Sequence, residues 1–200
     1  MARPKNKEEA ILAAAIKIFM EKGFAQSSIQ DIANGAGIAK GTIYEYFRTK
    51  EELFMQAVKL HTRLYIKQID NIVLGEKTVI AKLGDLLDLF LGASSEEHFK
   101  WMDFIFINEL AQLSNQSRMV FHLWLDNMRD KSTGKITEIL AQAIGEGEIR
   151  AIETESVARS ILSLMMGTNM QMRNKNYSAE QINHEKAKII DFIMNGIGYR

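Results

Sequence analysis

The sequence predicts an all-α fold, with a small head of three short helices joined by a long helix to a larger helical body. Three observations carry that prediction. Apolar residues recur at three- and four-residue intervals along most of the chain, and no alternation of β-branched and polar residues lasts long enough to make a strand. The single proline, Pro4, precedes the first periodic run, so ring geometry bars no later helix. Helix starts and stops crowd the first 48 residues and are widely spaced beyond them.

The first helix opens at Asn6 with Glu9 three residues later, a capping-box spacing, and continues through Ile11, Leu12, Ala15, Ile18 and Phe19 to a stop at Gly23. Ser28 with Asp31 opens a second, short helix carrying Ile29, Ile32 and Ala33, which Gly35 and Gly37 close. A third short helix fits between Gly37 and Arg48. Thr49 with Glu52 starts the fourth, whose apolar face runs through Leu53, Ala57, Leu60 and Leu64 toward Leu74. Longer helices are then expected over 79–91, 96–113, 118–145, 154–172 and 178–197, the third of these with a break near Ser132-Thr133-Gly134. The predicted domains are therefore 1–48 and 49–200.

At 200 residues and 46% apolar content the chain can bury a sizeable core, which excludes a purely disordered protein. With no cysteine it has no disulfide framework, thiolate metal site or cysteine nucleophile. No apolar stretch reaches the length of a membrane span, and the start, Met1 to Lys7, is polar rather than signal-like, so a cytoplasmic protein with no membrane partner is expected. Lysine plus arginine and aspartate plus glutamate number 25 each, so overall charge favours no partner. The first 60 residues nevertheless hold nine cations against seven acids, which makes that end the better anion-facing surface.

Catalytic machinery is not visible. None of His61, His98, His122 or His184 follows a glutamate by three, as a di-iron bundle requires. There is no zinc-type His-Glu-x-x-His, nucleophile elbow or phosphate-binding glycine loop, so neither an enzyme nor a cofactor is expected.

Residues 29–47 have the spacing of a helix-turn-helix, with Gly35, Ala36 and Gly37 small enough to let two short helices meet at a steep angle. The same spacing occurs in bundles that never meet nucleic acid. In the second helix, Ile43 and Phe47 lie four apart and read as core. Lys40, Thr42, Tyr44, Glu45 and Tyr46 take the remaining circumference, either as an outward row of polar groups or as an ordinary solvated face. Gly41 costs helix propensity but removes a side chain where a backbone can approach a phosphate or base edge.

The run Ile11-Leu12, Ala15, Phe19, Gly23-Phe24, Ser28-Ile29, Ile32-Ala33, Ala36-Gly37-Ile38, Gly41, Ile43-Tyr44, Tyr46-Phe47, Lys50-Glu51-Glu52-Leu53 resembles the N-terminal signature of the tetracycline-repressor-like (TetR) family of bacterial transcription regulators. The match is gap-free and covers about the first quarter of the chain. The resemblance implies a homodimer whose heads enter successive major grooves of a palindromic double-stranded DNA operator, with a small-molecule effector in the body changing their separation. Carried over position by position, it puts Lys40, Gly41, Thr42, Tyr44, Glu45 and Tyr46 on the DNA-facing surface, Ser28 at a helix start that can hold a phosphate, and Lys50 at a phosphate contact. Lysine favours guanine acceptors, a carboxylate accepts from cytosine, and phenolic hydroxyls suit phosphates. One departure is Ala39: many relatives carry Ser or Thr there, and alanine cannot cap the recognition helix. Arg3, Lys5 and Lys7 form either a basic arm for DNA or a solubilising tail.

In the body, residues 99–107 are apolar on nearly every side and read as an enclosed helix, as does the run 119–125. Eight of the eleven methionines fall at or after Met102, which suits an adaptable pocket and equally a plain core. The sensor that the resemblance implies is expected among Trp101, Phe104, Ile105, Trp124 and Met165, with Asn108, Glu109 and His122 as polar partners. The effector is expected to be apolar or amphipathic, and Glu109 favours a cation. Val157, Ile161, Leu162, Met165 and Thr168, beside Ser160, Ser163 and Gly167, with Ile182, Ile189, Ile190, Ile193 and Ile197, read as a homodimer surface on the last two helices or as cover for their own body. Other readings are a helical small-molecule or lipid-binding protein without DNA activity, and a structural DNA-binding member of the same family.

Overall fold

The computed structural model describes residues 7–91, 113–173 and 177–197. Among these residues every regular element is a helix and there is no strand. The helices are α1 (Lys7–Gln26), α2 (Ile29–Ala36), α3 (Lys40–Tyr46), α4 (Lys50–Leu74), α5 (Val79–Leu91), α6 (Asn115–Gly145), α7 (Thr154–Arg173) and α8 (Ala179–Ile197). None is long and apolar enough to cross a membrane. The helix expected over 96–113 lies almost wholly outside the described residues.

Of the described residues, 7–65 and 113–126 form one compact unit, and 66–91, 127–173 and 177–197 form a second. Both α4 and α6 begin in the first and end in the second.

In the first unit, Glu8 and Glu9 sit in the opening turn of α1, where acids complement the helix dipole. Its inward stripe of Ile11, Leu12, Ala15, Ile16 and Phe19 is buried. Gly23 then leaves helical geometry at φ 81°, ψ 160°, a region L side chains rarely adopt, and a last turn resumes to Gln26. That bend carries Phe24 inward, where Phe19, Phe24 and Phe54 pack with centroids 5.2–5.9 Å apart. Leu53, Ala57 and Val58 of α4 complete the core, joined by Leu113 and by Phe121 of α6. In α6 the expectation of an enclosed run over 119–125 is corrected: Phe121 is buried, but Met119, Val120 and Leu123 are exposed. The helix buries one stripe, and its apolar residues are not confined to that stripe.

In the second unit, α5 packs against α7 and α8. Leu83, Leu86 and Leu87 of α5, Ile136, Ile139 and Leu140 of α6, Ala158, Ile161, Leu162 and Met165 of α7, and Ile189 and Ile193 of α8 are buried. Two charged groups close helix ends. The buried Lys82 donates to the Val73 carbonyl at the end of α4 (2.9 Å) and to Gln142 Oε1 (2.8 Å). The Glu148 carboxylate accepts from Val79 N at the start of α5 (2.8 Å). The break expected near Ser132-Thr133-Gly134 does not occur, and α6 is continuous. Ser132 and Thr133 are buried, and the Thr133 carbonyl accepts from Thr137 Oγ1 one turn later (3.0 Å), a bond made along the helix and not against it.

Candidate nucleic-acid interface

The short helices form a helix-turn-helix whose local causes can be read residue by residue. Ser28 caps α2 with the reciprocal bonds of a capping box: its Oγ accepts from Asp31 N (3.0 Å) while Asp31 Oδ2 accepts from Ser28 N (2.9 Å). Gly37, at φ 68°, ends the helix in left-handed geometry. Its N–H donates to Asn34 O (3.2 Å), and Ile38 N–H donates to Ala33 O (3.0 Å), so two of the last carbonyls are satisfied and the chain turns sharply into α3. At the start of α3, Ala39 makes no side-chain cap, as its identity requires.

Ile43 is fully buried and Phe47 nearly so, pinning one side of α3 to Ile32 and Ala33 in the head core. The opposite side is open: Tyr44 is 48% and Tyr46 41% exposed, Lys40, Gly41 and Glu45 are exposed, and Thr42 is half-buried. An added Cβ at Gly41 would meet nothing within 4 Å, so packing within the protein does not demand a glycine there.

Lys50 begins α4, four residues after the end of α3. Its ammonium lies 3.3 Å from the Ala25 carbonyl and 4.5 Å from the centroid of the Phe24 ring, which holds it over the end of α1. Ser28 differs from a bare helix start. Its hydroxyl donates to Asp31 Oδ2 (2.7 Å), and Lys22 donates to Asp31 Oδ1 (2.7 Å). These bonds, that from Lys22 the largest, hold the Asp31 carboxyl at a pKa of about 2. An anion from the protein itself therefore already sits at the start of α2.

Sequence reasoning missed two participants. Lys22 lies nine residues from Asp31 across the Gly23 bend, and Glu51 binds Ser114 and Ser117 far along the chain. No short-range spacing signals either.

Of the residues expected around an effector, Trp101, Phe104, Ile105, Asn108 and Glu109 lie outside the described residues. His122 is exposed, Trp124 is half-buried against Phe121 at 5.2 Å between centroids, and Met165 is fully buried. Among the described residues no group of three or more His, Cys, Asp or Glu could hold a metal ion.

Of the two readings of the last two helices, cover for their own body holds for most of the stripe. Ile161, Leu162, Met165, Ile189, Ile193 and Ile197 are all buried. What remains open is a groove of about 1000 Å³ with Ile161, Ile193 and Ile197 in its lining, together with Val157, Leu164, Ser156, Ser160, Ser163 and a protruding Phe192 that is 71% exposed. Arg150 closes one end, donating through its guanidinium to the Gly196 carbonyl (2.7 Å).

Residues 11–57 match the family model described as bacterial regulatory proteins, tetR family. Among curated proteins, the chain is similar to the HTH-type transcriptional regulator YerO of Bacillus subtilis, 28% identical over 96% of this chain and 66% of that protein, and so spans just under two thirds of its length. Two solved structures share the fold. A TetR-family regulator from Mesorhizobium loti superposes over all of both chains, with a TM-score of 0.77 and 16% identity. The regulator FadR of Bacillus subtilis, solved in complex with stearoyl-CoA, superposes over 94% of this chain and 98% of its own, with a TM-score of 0.68 and 22% identity. The helix-turn-helix geometry and the family match across it agree: residues 11–57 carry the signature of bacterial regulatory proteins of the tetR family, and the helical fold is shared with TetR-family structures.

Proposed function

We propose that the protein is a ligand-responsive repressor, not an enzyme, acting in the cytoplasm as a homodimer on a palindromic DNA operator. The observation that carries this reading is the division of α3, with Ile43 and Phe47 in the core and Lys40, Tyr44, Glu45 and Tyr46 turned outward. Residues 1–48 serve as the DNA-binding domain and 49–200 as the effector-binding and dimerisation domain. Lys40 and Glu45 read base edges, Tyr44, Tyr46 and Thr42 hold the backbone, and Gly41 admits it closely. Lys50 contacts a phosphate, while Ser28 does so only after releasing Asp31.

Two copies pair through α7 and α8, with Phe192 of each seated in the open groove of the other, so that the heads stand about 34–36 Å apart or a multiple of it. The effector is an apolar or amphipathic molecule held by Trp101, Phe104, Ile105, Asn108, Glu109, His122 and Trp124. The complex of the similar Bacillus subtilis regulator with stearoyl-CoA supports an amphipathic ligand. Release follows if the effector binds one separation of the heads more tightly than the other, since equal affinity would shift nothing.

The test is selection of duplexes from a random-sequence pool by the purified full chain. Enrichment of an inverted repeat with half-sites one helical turn apart, or a multiple of that, supports the reading. Recovery of no sequence preference at low and moderate salt overturns it.

A further inference from the structure

Glu51 is the second residue of α4, next to Lys50, and its carboxylate receives the start of α6. Its Oε1 accepts from the Ser114 N–H (3.0 Å), and its Oε2 accepts from the hydroxyls of Ser114 (2.8 Å) and Ser117 (2.5 Å). Ser114 Oγ also accepts from the Ser117 N–H (3.2 Å) and so caps the first turn of α6. The carboxylate thus faces the unsatisfied amides and positive dipole end of a 31-residue helix. These donors, the Ser117 hydroxyl foremost, hold the Glu51 carboxyl below its ordinary range against the opposing effect of burial. Leu53 and Phe54 of α4, Leu113 just before α6 and Phe121 within it are buried in one core cluster.

Resting on the reading of the chain as a two-headed DNA binder, we propose that Glu51 is a positioning residue for operator recognition. It pins the first turn of α6 to the first turn of α4, so that the two helices leave the head in one register. Both helices run on into the second unit, so whatever displaces one relative to the other must first break the bonds to Ser114 and Ser117. A carboxylate beside the DNA face repels phosphates and would by itself weaken binding. Its value therefore lies in fixing the first turns of α4 and α6 to each other, which matters only when two heads must meet one duplex together.

This separates positioning from electrostatics by sign. The probes are the inverted-repeat duplex selected by the wild-type chain and the same duplex with one half-site scrambled. Glu51→Ala should bind the single half-site as well as wild type or better, having lost a negative charge, yet bind the full repeat about tenfold more weakly. Ser117→Ala, which leaves all charges in place, should shift the full-to-half-site ratio in the same direction by a smaller factor, and it decides the matter alone if Glu51→Ala fails to fold by circular dichroism. The role is overturned if neither variant changes that ratio, or if both affinities fall in parallel. A wild-type chain that enriches no duplex removes the DNA reading and the role with it, whereas enrichment by wild type with indifferent variants removes the role alone.

Discussion

Asp31 Oδ2 lies 2.7 Å from Ser28 Oγ, so the hydroxyl at the start of α2 gives its hydrogen to the helix's own carboxylate and not to the surroundings. With Lys22 on its other oxygen, that carboxylate joins the end of α1 to the first turn of α2 across the Gly23 bend. Two elements that both have to be placed for α3 to project are tied by one side chain.

The pH dependence of this tie has a definite sign. The carboxyl's folded pKa of about 2 lies below its ordinary 3.8, so its contribution is present above the higher value and lost as pH falls through the lower. Thermal melts of wild type should therefore drop between pH 4 and 2 by more than those of Asp31→Asn, which has no carboxyl to titrate. Parallel curves in that window would show that the Asp31 carboxylate contributes nothing to the fold.

Ala39 occupies the N-cap position of α3 with extended backbone (φ −71°, ψ 145°) and no side-chain bond. Serine adopts the same backbone and adds an acceptor for the orphan amides. Ala39→Ser should stabilise the protein by about 1 kcal/mol, seen as a rise of roughly 2–4 °C in melting temperature. No rise would mean that solvent satisfies those amides equally well.

Phe192 presents a large ring outside the core of its own unit, beside a groove whose lining includes Val157 and Leu164. Phe192→Lys should leave helix content unchanged by circular dichroism and convert the dimer to monomer in sedimentation at micromolar concentration, because a cation in a groove whose lining holds Arg150 and Arg159 and no carboxylate has no partner. A dimer that survives the substitution would move the association surface elsewhere.

The fold was legible wherever its cause is local. The Ser28 and Asp31 capping box, the Gly37 stop and the Val79–Leu91 helix each rest on residues within one or two turns of each other, and each forms where spacing predicts it. Gly23 was legible as an interruption but not as a bend after which helix resumes. Bonds across 63 or more residues, such as those of Glu51 to Ser114 and Ser117, leave no periodic trace. The C-terminal helices show a third limit. Periodicity marked Ile189, Ile193 and Ile197 as a buried stripe, but it carries no information on whether one chain or two does the burying, and Phe192, outside that stripe, was passed over. On the candidate DNA face, the sequence separated core from surface in α3 correctly, because Ile43 and Phe47 are four apart.

The central claim is that the open side of α3 reads a duplex, and Tyr44 tests it most directly, being 48% exposed on that side and outside the core. The measurement is the affinity of wild type and Tyr44→Ala for the inverted-repeat duplex enriched by wild type, at one fixed salt concentration, beside their thermal melts. The account predicts a loss of about tenfold in affinity, with folding stability changed by no more than about 0.5 kcal/mol. Equal affinity of the two proteins for that duplex, with both fully folded, would contradict it.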